Sequence, residues 1–282
     1  MTSRTKIILG SSIVIILIGV FFFINHTNSK KDEKKDTQSE QKITLTEKPP
    51  QIKVTDPLTS NIPILVYHSI GPKPAKPESK GQLHYRITPE NFEKQMQYLK
   101  DNNYTPITFD ALVQHLNFGT SVPEKAVVIT FDDGWKNQYI YAVPILKKYG
   151  FTATFFIVTK TRSGGYMTWE ELKNLVTDHF EIASHTEHHA KLGGDIVETV
   201  LQQEVSGSKK ELEDTLGITV TTLAYPYYSQ SDRARKAVED AGYLGARAGW
   251  ASFKNSTDHV FQLVSQEAVN NPNPFSSVRL SD

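Results

Sequence analysis

The apolar positions of the chain fall into two alternating patterns. Short, dense runs read as strands buried on both faces: "IPILVY" at 62–67, "AVVITF" at 126–131, "TATFFIV" at 152–158, "FEIAS" at 180–184, "TTLAY" at 221–225 and "LGARAG" at 244–249. Between them lie segments whose apolar residues recur at helical spacing. "TPENFEKQMQYLKDNN" opens on Thr88 as a cap with Pro89 in the first turn, and "TFDALVQHLNFG" at 108–119 ends on glycine. Further helices are predicted over 137–149, 168–178, 195–216 and 231–242, and the apolar "VFQLV" at 260–264 follows the last strand. Strands alternating with helices predict an α/β fold with a parallel sheet covered by helices. About seven repeats predict a closed or nearly closed (β/α) barrel.

One apolar run stands outside this alternation. Residues 7–24, "IILGSSIVIILIGVFFFI", carry no charge, are about long enough to cross a hydrocarbon core, and follow Arg4 and Lys6. They predict a membrane anchor over 1–25, with the rest of the chain on the extracellular side of the cell membrane. A signal peptide cleaved to release a secreted protein is the alternative, although the run ends in bulky "FFFINH" where small residues would suit cleavage. Residues 26–58 are polar, charge-mixed and free of aromatics, and predict a disordered stalk; 59–282 remains as the globular domain.

Composition adds exclusions. A formal net charge of +0 gives no electrostatic ground for a nucleic-acid partner. The absence of cysteine excludes disulfides, a thiolate zinc site, a cysteine nucleophile and a lipidated cysteine, so any metal must be held by His, Asp or Glu. The protein is expected to act as a monomer.

In (β/α) barrels the chemistry sits where the strands end. Polar residues follow four of the predicted strands there: His68, then Asp132 and Asp133, then His185 and His189 in "HTEHH", then Pro226 and Tyr227. Each has an ordinary reading: Asp-Asp-Gly as a turn capping a helix, "HTEHH" as a solvated loop, His68 as a histidine satisfied at the barrel end. Their common rim favours a site. His185 and His189 are spaced i, i+4, and two imidazoles with one carboxylate make a three-ligand metal site with an open position. Adjacent carboxylates raise each other's cost of ionisation, which a cation or a proton-transfer task would justify. Glu187 and His188 are rival ligands with a less suitable spacing.

The stretch "TFDDG", followed by "SHTEHH" and then "AYPYY", resembles the polysaccharide deacetylases of carbohydrate esterase family 4 over residues 62–269. The resemblance implies a distorted (β/α)7 barrel in which Asp132 is the general base and Asp133, His185 and His189 bind one divalent ion, usually zinc, with cobalt, nickel or manganese as alternatives. It implies hydrolysis of an N-acetyl group by a metal-activated water, with the Tyr227 N–H as an oxyanion donor. Two departures stand out: the family's usual Arg two residues before the third-motif Pro is Ala224 here, and the C-terminal Leu-x-His that supplies the acid is missing. "PILVYHSI" is similar to the opening strand of the subgroup acting on poly-β-1,6-N-acetylglucosamine, which implies His68 as the acid; His259 is the weaker candidate. Trp135, Tyr166, Trp169, Tyr227, Tyr228 and Trp250 lie in or beside the rim loops, where flat rings suit sugar faces. Trp135 and Tyr228 are accordingly expected to bind substrate, and Trp250 with Leu263 falls where the family forms its acetyl pocket. The expected function is de-N-acetylation of an extracellular or cell-wall polysaccharide. An O-acetyl xylan or peptidoglycan deacetylase, a non-catalytic carbohydrate-binding descendant and a structural surface protein are the alternatives.

Overall fold

The computed structural model describes residues 58–73, 85–161, 164–249 and 254–276. The expected anchor, the stalk up to residue 57 and Trp250 lie outside them. Among the described residues no helix is long and apolar enough to cross a membrane.

The chain runs β1 (Thr59–Ser60), β2 (Ile64–Tyr67), β3 (Ser69–Ile70), β4 (Arg86–Ile87), α1 (Pro89–Asp101), β5 (Thr105–Ile107), α2 (Phe109–Phe118) and β6 (Ala126–Phe131). A π-helical turn (Gln138–Ala142) leads into α3 (Val143–Tyr149), followed by β7 (Thr154–Ile157), α4 (Trp169–Thr177) and β8 (Glu181–Ser184). Next come α5 (Glu198–Gln202), a second π turn (Gln203–Gly207), α6 (Ser208–Leu216) and β9 (Thr222–Ala224). The last part holds a 3-10 turn (Pro226–Tyr228), α7 (Asp232–Asp240), β10 (Gly245–Arg247), β11 (Asn255–Ser256), a 3-10 segment (Thr257–Gln262) and β12 (Gln266–Glu267). Thr88, Thr108, Thr168 and Ser231 cap α1, α2, α4 and α7, each accepting from the third residue on, and Thr168 with Glu171 completes a capping box.

The main sheet is parallel throughout, in the order β10-β9-β8-β7-β6-β2-β12, with β5 on the lower half of β6. It curls until its edges meet. Leu263 exchanges backbone hydrogen bonds with Ala246 and Ala248 beside β10, both 2.9 Å, and a few residues later Gln266 and Glu267 pair with Leu65 and Val66 of β2. One short segment therefore spans the seam of a distorted (β/α) barrel. The expected apolar run at 260–264 is not itself a strand: it leaves a 3-10 segment and bridges to β10 at Leu263.

Alternation along the strands sorts two cores. Leu65, Tyr67, Val127, Ile129 and Phe131 pack outward against helices, whereas Ile64, Ala126, Val128, Phe156, Ala183 and Ala224 face an inner cluster shared with Phe109, Leu112, Val113 and Leu116 of α2. The N-terminus of α2 is tied to the lower ends of β7 and β8, where the Phe109 N–H donates to Thr154 Oγ1 (2.8 Å) and that of Asp110 to Glu181 (3.1 Å). A side chain at Gly245 would lie 2.7 Å from Val113, so β10 can pass α2 only as glycine. With the lower mouth filled, the chemistry is left to the upper rim.

Candidate active site

His68, Asp132, Asp133, His185 and Tyr227 all follow strand ends on that rim. Gln138, buried in the first π turn, donates to the carbonyls of His68 (2.7 Å) and Asp132 (2.6 Å) and so ties the ends of β2 and β6 together. Beyond β6 the backbone turns through Asp133 (φ 72°) and Gly134 (φ 79°), a left-handed pair that directs the two aspartates differently. His189 and Tyr227 also have positive φ, 61° and 55°. Such clustering of costly backbone states is characteristic of functional sites.

Asp133, His185 and His189 converge. Their ligand atoms lie within 4.8 Å of one another, with Asp133 Oδ1 3.2 Å from His189 Nε2 and 3.6 Å from His185 Nε2. The Nδ1–H of His185 donates to the Ala224 carbonyl at 2.8 Å, which leaves the Nε2 lone pair facing the other ligands. Burial lowers the His185 pKa to about 4, so the ring is neutral, as a ligand must be. Burial alone would raise Asp133, but the hydrogen bond from His189 and the proximity of His185, His68 and His189 hold it well below the usual carboxylate range. Two imidazoles and an ionised carboxylate fit a divalent ion such as Zn2+. The rival ligands turn away: His188 Nδ1 is 2.9 Å from Glu204, and Glu187 accepts from Gln203 at 3.0 Å.

Asp132 is held otherwise. Its Oδ2 accepts from Arg247, whose side chain is completely buried inside the barrel above the rings of Phe156 (5.3 Å) and Tyr228 (5.5 Å). Its Oδ1 is buried, with no hydrogen-bond partner among the described residues. Arg247 was missed in the sequence, and its position explains Ala224: the two are register partners on β10 and β9, so the guanidinium arrives from the neighbouring strand. A charged residue between Ala246 and Ala248 in an otherwise small and apolar strand was the available signal.

His68 is half-buried across the site, its Nε2 3.7 Å from Asp132 Oδ2 and its Nδ1 3.4 Å from Glu267 on β12. Burial would lower its pKa, but the bond to Glu267 and the charges of Asp132, Glu267 and Asp133 raise it to about 9. Tyr228 donates its hydroxyl to the other Glu267 oxygen. Glu267 escaped the sequence reading because a two-residue polar strand carries no periodicity. Tyr227 is exposed, its ring 4.5 Å from that of His189, and no hydrogen bond of its N–H is found among the described residues. Trp135 stacks on Tyr166 at 4.3 Å. It lines a groove of about 580 Å³ with His68, Tyr85, Asp133 and Ile140. Leu263 is fully buried in the inner cluster, Trp169 begins α4 against the outer core, and His259 bonds to Gln262 (2.8 Å) beside other cavities.

The sequence model of the polysaccharide deacetylase family matches residues 119–246. A Bacillus subtilis protein bearing the name polysaccharide deacetylase is 34% identical over 215 residues, which cover 76% of this chain and 72% of the relative. A poly-β-1,6-N-acetyl-D-glucosamine N-deacetylase of Staphylococcus epidermidis is 27% identical, with coverage of 84% and 83%. Among solved structures, a Streptococcus pyogenes deacetylase in complex with acetate aligns with a TM-score of 0.69 at 26% identity, covering 78% of this chain and 96% of that one. By this likeness, and with the family's motifs brought together on one barrel rim, the chain belongs to the polysaccharide deacetylase family.

Proposed function

We propose that the protein is a metal-dependent hydrolase that removes N-acetyl groups from an N-acetylglucosamine polymer outside the cell, held at the membrane by residues 1–25. The observation that carries this is the joint placement of a three-ligand cluster and two proton-handling groups: Asp132 Oδ2 lies 3.9 Å from His185 Nε2 and 3.7 Å from His68 Nε2. The name of the staphylococcal relative supports the polymer class.

A divalent cation on Asp133, His185 and His189, zinc first, would supply Lewis-acid polarisation of the acetyl carbonyl and make water nucleophilic at neutral pH. Asp132, whose Oδ2 faces His185 and His68 and is held by Arg247, takes the proton of the attacking water. The Tyr227 N–H donates to the developing oxyanion. His68, whose Nδ1 faces Glu267, protonates the departing nitrogen from Nε2; a cation held by Asp133, His185 and His189 would lower its raised pKa. Trp135 borders the saccharide path. Ala224 and the missing C-terminal histidine favour a binding-only role; against the first, Arg247 supports the enzyme by giving the base a cation.

Metal content of the full chain and acetate release from N-acetylglucosamine oligomers, with and without a chelator, test this. One bound ion and chelator-sensitive release are expected. Release that survives both chelation and His185→Ala would sink the proposal.

A further inference from the structure

The polar atom of Trp135 reaches the ligand cluster. Its indole N–H donates to Asp133 Oδ2 at 2.7 Å, while Asp133 Oδ1 is the oxygen facing His185 and His189. An ionised carboxylate can bind a metal through one oxygen or both, and the indole occupies the second. The ring itself is fixed from outside. Tyr166 covers one face at 4.3 Å and 19° between planes, and the backbones of the two loops are stapled by Lys136 N–H to Gly165 (2.9 Å) and Met167 N–H to Gly134 (2.9 Å). Trp135 and Tyr166 form an antiparallel bridge at the centre of this staple. The loop after β7 thus holds the indole, and the indole holds the carboxylate.

We infer that Trp135 is a metal-positioning residue: its N–H presets Asp133 to bind the cation through Oδ1 alone. Because the same ring lines the substrate groove, whatever moves it there also changes metal affinity, and by linkage the cation changes saccharide affinity by the same factor. This rests on the proposed metal site. It differs from the sugar-platform role expected from sequence, which requires the ring face and is indifferent to the N–H.

The test is the Zn2+ dissociation constant of the full chain, measured by competition with a chromogenic chelator, together with the visible spectrum of the Co2+ form. Trp135→Phe keeps a ring and loses the donor. Loss of such an outer-shell partner weakens metal binding about 10–100-fold, and that loss is expected here, with a changed Co2+ band as the carboxylate becomes free to use both oxygens. If the phenylalanine variant does not fold, benzothienylalanine at position 135, which replaces only the N–H by sulfur, serves instead. Binding within twofold of wild type in either variant overturns the inference. The two readings fail separately: wild-type chain that takes up no Zn2+ refutes the metal site and this inference with it, whereas wild-type binding abolished by His185→Ala but untouched by the loss of the indole donor refutes this inference alone.

Discussion

Arg247→Met would remove one charge from a fully buried pair while nearly conserving the length of the side chain. Arg247 is 0% exposed and its partner Asp132 3%, so water cannot replace the lost contact. Breaking such a pair on one side costs about 3–5 kcal/mol, against about 0.2–1 kcal/mol for exposed pairs such as Lys210–Asp214. For a domain of this size each kcal/mol moves Tm by about 2–4 °C, so a fall of about 6–20 °C is expected by circular dichroism. Adding Asp132→Asn should recover part of it, since a buried site with neither charge is less costly than one with a single charge, and a double-mutant cycle reads the coupling. Catalysis should suffer independently. A buried carboxylate deprived of its cation tends to take up a proton, and the loss of a general base is worth about 10²–10⁴ in rate. Ala224→Arg in the Arg247→Met background should restore part of the turnover, because the two positions are register partners. A Tm loss under about 2 °C with unchanged kcat/KM would refute the reasoning.

The two aspartates should separate: Asp132→Asn retains metal and loses most turnover, on the order of 10²–10⁴, while Asp133→Asn loses the metal, so equal metal content in the two variants would show the roles misassigned. His68→Ala should depress hydrolysis of N-acetyl substrates far more than that of an activated acetate ester, whose leaving group needs no proton; equal losses would make His68 a structural residue. At the lower end of the barrel, burial raises Glu181 from 4.5 to about 7, against hydrogen bonds from Thr154 (2.6 Å) and Thr222 (2.9 Å). The folded state therefore binds that proton more tightly than the unfolded one, and the contribution, present below pH 4.5, is lost as pH rises through 7. Urea unfolding of Glu181→Gln should accordingly show a flatter pH dependence than wild type between pH 5 and 8, by roughly 2 kcal/mol; identical slopes would exclude it.

The ligand cluster was legible because strand, turn and polar residue follow one another locally in "VVITFDDG" and "EIASHTEHH". Periodicity located most of the strands and helices for the same reason. What escaped depends on lateral neighbours. Nothing local says that Arg247 lies in register with Ala224, or that Glu267 reaches His68 across the seam. β5 was missed because Thr105-Pro106-Ile107 is short and contains a proline, tolerable here since it pairs on one side only, with β6. The π turns at Gln138–Ala142 and Gln203–Gly207 look like helix in sequence, yet the first supplies Gln138 to the rim and the second leads Glu204 to His188. Spacing favours His185 and His189 over Glu187 and His188, and the packing of that second π turn agrees, with Glu204 against His188 and Gln203 against Glu187.

The seam has a consequence in time. Asp133, His185, His189 and the carbonyl that orients His185 have all been synthesised by residue 224, at the ends of β6, β8 and β9 in the contiguous run β6-β7-β8-β9. Glu267 comes much later and must find its place beside β2, the first strand of the ring, at the opposite end of the chain's order. Contacts of such large sequence separation form late, after the entropy of the long intervening loop has been lost. On the proposed mechanism, a nascent or C-terminally clipped chain would bring its three candidate ligands together before Glu267 can orient His68. Metal loading and catalytic competence would then be separate events along the life of one polypeptide, with the second withheld until the barrel is joined.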